Sequence, residues 1–387
     1  MLSSLLKINS FKIFYFLVFI HVLGSTWLDY SSLFRFFGFL IVFPIAIYKF
    51  KLPKKNLIIL SILIFIFSLN LFFSINYSNS LYAFSLIILV LLNEYVFSRD
   101  LKISQKLLVI KNCLRIFMIL SILAYLIGDN RVSDNIYGND ELSFGNAFSG
   151  VFESVNYFYL FFLIYISLLF LVKSPKINFK YLNIDYFVIL IITAIIVFKF
   201  QNINRAFILG LLIFFVSYYW TNKYIKFLFF TSIIFSSIYF TVLDLDLLSQ
   251  YGIKTKDFLE YGIFGNRTSL WNTVFEIIGN LSYVFSGVGI SNETLSLSSF
   301  NIIGFENLHA HNTYLTLFHE FGFLFGFILL FLILIISMRT VRNNKFLLPL
   351  SLIIIIFSFF DSLYMQGFNP SHIIFYSIFI FNRNESK

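Results

Sequence analysis

The stretch Thr313–Ser337 reads TYLTLFHEFGFLFGFILLFLILIIS, and from Phe321 to Ile336 it contains only apolar residues and two glycines. A helix needs about 20 mostly apolar residues to cross about 30 Å of hydrocarbon. The run is continuous and does not alternate, so it is not the strand of a membrane barrel. In lipid, a helix pairs its backbone polar groups within the segment itself. These 25 residues are therefore read as a membrane helix. Runs of the same kind recur at Phe11–Leu28, Leu33–Tyr48, Leu57–Phe73, Leu81–Phe97, Leu107–Ile127, Val151–Val172, Tyr186–Phe198, Ala206–Trp220, Phe227–Leu243, Phe346–Phe360 and Ser371–Phe381. With Thr313–Ser337 they make twelve candidates. Three are short, so the range is eleven to thirteen. The first run follows Lys7 and Lys12, lacks a small-x-small cleavage site and is followed by more spans, so it is read as a retained span.

Composition agrees. Hydrophobic residues make up 59% of the chain, aromatics 21% and charged residues 12%. A soluble domain is about 45–50% apolar and about 25% charged. A soluble globular protein, a disordered chain and a coiled coil are all excluded. The single cysteine, Cys113, can form no internal disulfide, and its apolar run makes it a buried small hydrophobe.

The net charge of +9 is a topological record. Lys and Arg accumulate in cytoplasmic loops near span ends. With both termini inside, 21 of the 28 cations fall on the inner side with only Glu94, Asp100, Asp185 and Glu385. The outer side holds 7 cations and 15 acids, so the two sides carry +17 and −8. Two outer loops are long, Gly128–Gly150 and Asp244–Asn312. In the second, Leu270, Trp271, Val274, Phe275, Ile277, Ile278 and Leu281 recur at helical spacing, which predicts an amphipathic helix over about 268–281. The expected fold class is an all-α integral membrane protein. It forms one polytopic domain over 1–387 with about twelve transmembrane helices and a large loop, 244–312, between spans nine and ten. No internal repeat is visible.

Chemistry has few places to live. His309, His311 and His319 cluster at the end of the large loop and the start of span ten, where polar groups often mark function. His21 and His372 read as interfacial anchors. His-x-His with His319 and Glu320 could ligate a metal, yet no His-Glu-x-x-His, cysteine cluster or acidic pair accompanies it. Walker A, dinucleotide and serine-elbow motifs are absent. Asp244 and Asp246 read as a solvated span end. Arg205 and Arg267 stand on the outer side, where cations are scarce, and an Arg fork reads phosphate or carboxylate in a bidentate manner. Gly322 and Gly326 read as a small-residue face for close helix packing.

Three pieces resemble the O-antigen ligase/polymerase superfamily of bacterial envelope glycosyltransferases. His309-Ala-His311-Asn312-Thr-Tyr-Leu315 with Glu320-Phe-Gly322 and Gly326 resembles its His-Asn-x-x-Leu…Glu-x-Gly…Gly signature. Arg267-Thr-Ser-Leu-Trp271 with Ser286-Gly287-Val-Gly289 is similar to its Arg-x-x-x-Trp…Gly-Val-Gly segment, and Asn204-Arg205-Ala206 to its Ser-Arg-Gly/Ala entry. The match covers roughly Asn202 to Phe327. Asn204 stands where the family often has Ser, and the doubled histidine leaves two candidates for the key position.

The resemblance implies a GT-C-like enzyme of the bacterial inner membrane, with its site and large loop facing the periplasm. Donor and acceptor would be oligosaccharides on undecaprenyl diphosphate. It implies His311 as general base with His309 supporting it, and Arg205 and Arg267 stabilising the diphosphate leaving group and keeping the imidazole neutral. Asn312, Tyr314 and Glu320 would line the substrate. No cofactor or metal is needed. The lipid bilayer and a chain-length regulator protein are expected partners; nucleic acid is not. Polymerisation of O-antigen repeat units is the preferred activity. Ligation of finished polymer to lipid A core is the alternative, and a lipid-linked oligosaccharide flippase is a second one.

Overall fold

The computed structural model describes residues 9–26, 30–50, 57–127, 148–152, 155–172, 184–199, 205–219, 267–280, 283–299, 312–360 and 375–381. Among them the only pairing of extended backbone is an isolated bridge between Thr26 and Phe152, and nearly everything else is helical. In chain order the helices are α1 (Ser10–Leu23), α2 (Ser31–Lys49), α3 (Leu57–Phe72), α4 (Tyr77–Ser98), α5 (Ile103–Ile127) and α6 (Val155–Leu171). They continue with α7 (Ile184–Lys199), α8 (Arg205–Tyr219), α9 (Arg267–Gly279), α10 (Glu293–Ser299), α11 (Thr313–Asn343) and α12 (Leu348–Phe360). A 3-10 turn, Lys345–Leu347, precedes α12, and a π-helical turn, Tyr376–Ile380, closes the described chain.

The protein is all-α and suited to a membrane. By length and composition α4, α5 and α11 are able to cross one. Large apolar side chains such as Ile41, Phe65, Leu190, Phe327 and Phe331 face outward, which water would penalise and lipid does not. The expected span Phe227–Leu243 lies outside the described residues, as do residues 244–266 and 300–311 of the large loop. The described part of Ser371–Phe381 is Phe375, the π turn and Phe381.

Local chemistry sets several boundaries that hydropathy misses. Asn9 accepts the Phe11 N–H and starts α1. The helix stops at Leu23, short of the Leu28 expected, because Ser25 and Thr26 turn their hydroxyls onto the Val22 and Leu23 carbonyls, each at 2.6 Å. Asn76 caps α4 by accepting the Asn79 N–H at 3.1 Å. Val151 and Phe152, expected to open a span, instead lie in a turn before α6, held by the Ser121 hydroxyl, which accepts the Val151 N–H.

Buried polar links group the helix ends. At one end Asp185 of α7 accepts from Arg115 and Lys111 of α5 and from the Tyr165 hydroxyl of α6 at 2.6 Å. At that end too, the Lys106 ammonium donates to the Ser377 and Phe381 carbonyls at 2.7 and 2.8 Å, and the Thr340 hydroxyl to Phe379. Glu94 and Lys106, counted with the inner loops on sequence, are helix residues with no exposed surface. The reason is that apolar runs give span centres well and span ends poorly. The opposite end joins α3, α4, α10 and α11, and it holds the site.

Candidate functional site

The apolar helix α11 is not continuous. Gly322 sits inside α11 at φ 75°, ψ 167°, a conformation reserved in practice for glycine. In an unbroken helix the Phe323 N–H would bond to the His319 carbonyl. Here it donates to Val284 at 2.7 Å. The carbonyls released by the break, those of His319 and Glu320, accept from the Val288 and Gly289 N–H groups at 2.9 and 3.0 Å. A segment of the large loop thus repairs the helix it interrupts.

Contact is backbone on backbone, which fixes the residue types. A Cβ at Gly287 (φ 67°) would lie 2.4 Å from the carbonyl carbon of Glu320, and one at Gly322 would lie 2.6 Å from that of Phe285. The expected small-residue face of Gly322 and Gly326 is corrected accordingly. Gly322 meets the loop, and a Cβ at Gly326 would lie 2.8 Å from the Leu317 carbonyl oxygen in the first half of its own helix. Both glycines serve the break.

Asn70, near the end of α3 and fully buried, clamps this junction. Its amide N–H groups donate to the Ser286 and Glu320 carbonyls at 3.0 and 2.6 Å, and its oxygen accepts the Ile290 N–H at 3.0 Å. The Ile75 N–H bonds to the Val288 carbonyl, and the Ser80 hydroxyl to that of Ile290. Asn292 donates to the Ser74 and Ser80 hydroxyls at 2.7 and 3.0 Å.

Above the clamp, α10 lays a carboxylate and a hydroxyl against α11. Glu293 Oε1 accepts from the Thr316 hydroxyl at 3.1 Å and lies 3.9 Å from His319 Nδ1. His319 Nε2 is 2.8 Å from the Ser296 hydroxyl, which itself donates to the Glu293 carbonyl. With that hydroxyl proton used, the Ser296 oxygen accepts from the Nε2–H of His319. Glu320 Oε1 accepts the Ser291 N–H at 2.7 Å. Asn312 caps α11 by accepting the Tyr314 and Leu315 N–H groups at 3.0 and 3.3 Å. Asn312 Nδ2, His319 Nδ1 and Glu320 Oε2 are buried with no hydrogen-bond partner, so an amide nitrogen, an imidazole nitrogen and a carboxyl oxygen are left without a hydrogen bond at the start of α11. Among the described residues, no group of three His, Cys, Asp or Glu side chains is placed to hold a metal ion.

The helix of the large loop is bolted to the same place. Trp271, Val274, Ile277 and Ile278 of α9 pack with Val288, Leu297 and Leu315 in a cluster separate from the main core. Arg267 is the first residue of α9, and Arg205 the first of α8. Helix α8 packs on α12, whose Ile355 carbonyl accepts from the Tyr314 hydroxyl at 3.2 Å. His309 and His311 lie outside the described residues; Asn312, the cap, follows His311 directly. Asn70, Asn292 and Glu293 were not singled out on sequence. A lone Asn inside the apolar run Leu57–Phe73 was the available signal for the first. Glu293 was hidden among fifteen outer acids. No protein-family model, no curated protein and no solved structure matches the chain.

Proposed function

We propose that the chain is a metal-independent inverting glycosyltransferase of the bacterial inner membrane, with about twelve spans and both termini cytoplasmic. It polymerises O-antigen repeat units carried on undecaprenyl diphosphate, at the periplasmic face. One observation supports this above the rest: motif pieces far apart in sequence meet around the break in α11. Gly287 packs on Glu320 and Gly322, and Trp271 shares a cluster with Leu315. Arg267 opens the helix so anchored, and His311 precedes the cap of the helix that anchors it.

The chemistry follows from the residue types. An acceptor sugar hydroxyl attacks the anomeric carbon of the donor, and the bond to the diphosphate oxygen breaks on the opposite face, giving inversion. His311 takes the hydroxyl proton, with His309 supporting it. The lipid diphosphate leaves with the electron pair, and Arg267 and Arg205 stabilise its charge. Asn312, Tyr314 and Glu320 hold the substrate end of α11 in shape.

Surface glycolipid gels of a deletion strain test the reading. Loss of a polymerase leaves core carrying a single repeat, whereas loss of a ligase leaves bare core with polymer still on the carrier lipid. Arg267→Ala and His311→Ala are expected to fail in complementation. Full complementation by both sinks the site, and a cytoplasmic reporter signal from a fusion near Tyr251 sinks the topology.

A further inference from the structure

The break at Gly322 divides α11 into two pieces, and the lower one no longer dictates the direction of the upper. The upper piece, residues 313–321, is about two and a half turns long. A helix that short is marginal alone and has to be held from the side. Its cap, Asn312, follows His311 directly. Whatever fixes the direction of the upper piece therefore also sets where His311 joins it.

Leu315 enters the apolar cluster of Trp271, a contact without direction that leaves a helix free to turn or slide. Tyr314 adds one tether, to the Ile355 carbonyl of α12. The directional contacts on the remaining polar face come from α10. Thr316 and His319 lie one turn apart on the same face of α11. One carboxylate oxygen, Glu293 Oε1, accepts the Thr316 hydroxyl at 3.1 Å and stands 3.9 Å from His319 Nδ1, while Ser296 meets Nε2 of the same ring at 2.8 Å. Glu293, Ser296, Thr316 and His319 are all buried, so water cannot replace a contact that slips. Helix α10 is itself fixed from below. Asn292, just before it, is held by Ser74 and Ser80, and the Ser291 N–H by Glu320. A chain of polar contacts thus runs from the α3–α4 turn through Glu293 to the upper piece. We propose that Glu293 is a positioning residue for the transfer reaction. Through Thr316 and His319 it sets the orientation of the upper piece of α11, and so of the backbone that enters it from His311. This inference rests on the function proposed above.

Glu293→Leu removes the acceptor, whereas Glu293→Gln keeps an oxygen for the Thr316 hydroxyl. Initial rates of polymer formation would be measured on full-length proteins in detergent, with undecaprenyl-diphosphate-linked repeat units as substrate. Glu293→Leu should lower kcat about tenfold to a hundredfold and leave KM within about threefold of the parent. Glu293→Gln should recover most of that loss. Hydrogen exchange reads the orientation without any activity. In Glu293→Leu the amides of residues 316–321 should exchange about tenfold faster or more, with residues 324–336 unchanged. Thr316→Val removes the partner hydroxyl from the other side and should give the same exchange pattern, which serves if Glu293→Leu does not fold. Glu276→Ala, on the exposed face of α9, should alter neither rate nor exchange. Unchanged exchange at residues 316–321 in both Glu293→Leu and Thr316→Val overturns the proposal. So does a Glu293→Gln enzyme as slow as Glu293→Leu, or a loss confined to KM. If the unmodified protein makes no polymer, the proposed function falls, and the exchange comparison still decides whether Glu293 orients the helix.

Discussion

Replacing Gly322 by Ala attacks the junction at its narrowest point. The new methyl group would meet three backbone atoms, at 2.6, 2.7 and 2.8 Å, belonging to Phe285 and Gly287. None is the tip of a flexible side chain, so the loop as a whole has to move. An L-residue at φ 75°, ψ 167° carries strain of about 1–3 kcal/mol. Displacing the loop also loses bonds such as Val288 N–H to His319 and Gly289 N–H to Glu320, each contributing about 1 kcal/mol. Together the substitution should cost roughly 3–5 kcal/mol. In a chain of this size that lowers the melting midpoint by on the order of 4–6 °C. Gly279→Ala is the control, since a Cβ there meets nothing within 4 Å. It should stay within about 0.5 kcal/mol of the parent. Both proteins would be melted in detergent, followed by fluorescence-detected size exclusion. If Gly322→Ala melts with Gly279→Ala, or above the parent, α11 is a continuous helix and the account of the junction is wrong.

Asn70→Leu removes the clamp, strands the Ile290 N–H and the Ser286 carbonyl, and takes one of two donors from the Glu320 carbonyl. The expected loss is about 2–3 kcal/mol, with faster hydrogen exchange at Val288–Ile290 than at the middle of α5. Trp271→Ala empties the centre of the small cluster between α9 and α11. It should cost about 3–5 kcal/mol and expose α9 to limited proteolysis, with the helices of the main core still protected. Asp185→Asn leaves Arg115 and Lys111 facing a neutral amide. Because the Arg115 side chain is 29% exposed, water offsets part of the loss, and about 2 kcal/mol is expected; Tyr165→Phe, removing one neutral bond to the same group, should cost about 1 kcal/mol in the same melt.

The helical class and its membrane setting are carried by run length alone. The run Thr313–Ser337 needed no partner to be recognised, because each backbone bond of a membrane helix is local. The packing residues of α9 were equally visible, since Trp271, Val274, Ile277 and Ile278 share one face by spacing. Hydropathy did not show the break. Glycine is common in membrane helices, and nothing within four residues of Gly322 distinguishes a kink from a packing face. What decides is Gly287, thirty-five positions away, whose own backbone needs the same space. The buried acids escaped notice for a related reason. Glu94 and Glu293 look like loop charges when charges are counted by side, and only the neighbours on other helices reveal that water does not reach them.

The clamp at Asn70 bears on how the protein is made. Its bonds to Ser286 and Glu320 join residues 216 and 250 positions apart. When α3 and α4 emerge from the ribosome, the carbonyls that Asn70 will hold have yet to be synthesised. The polar groups of Asn70, Ser74 and Ser80 must therefore wait, in contact with water, lipid headgroups or an insertase, while most of the intervening helices are inserted. The broken helix can settle only if its cradle has been kept open. A chain interrupted anywhere between α4 and α10 would thus still insert helices but could not close this junction, unless the two pieces met again within the same membrane.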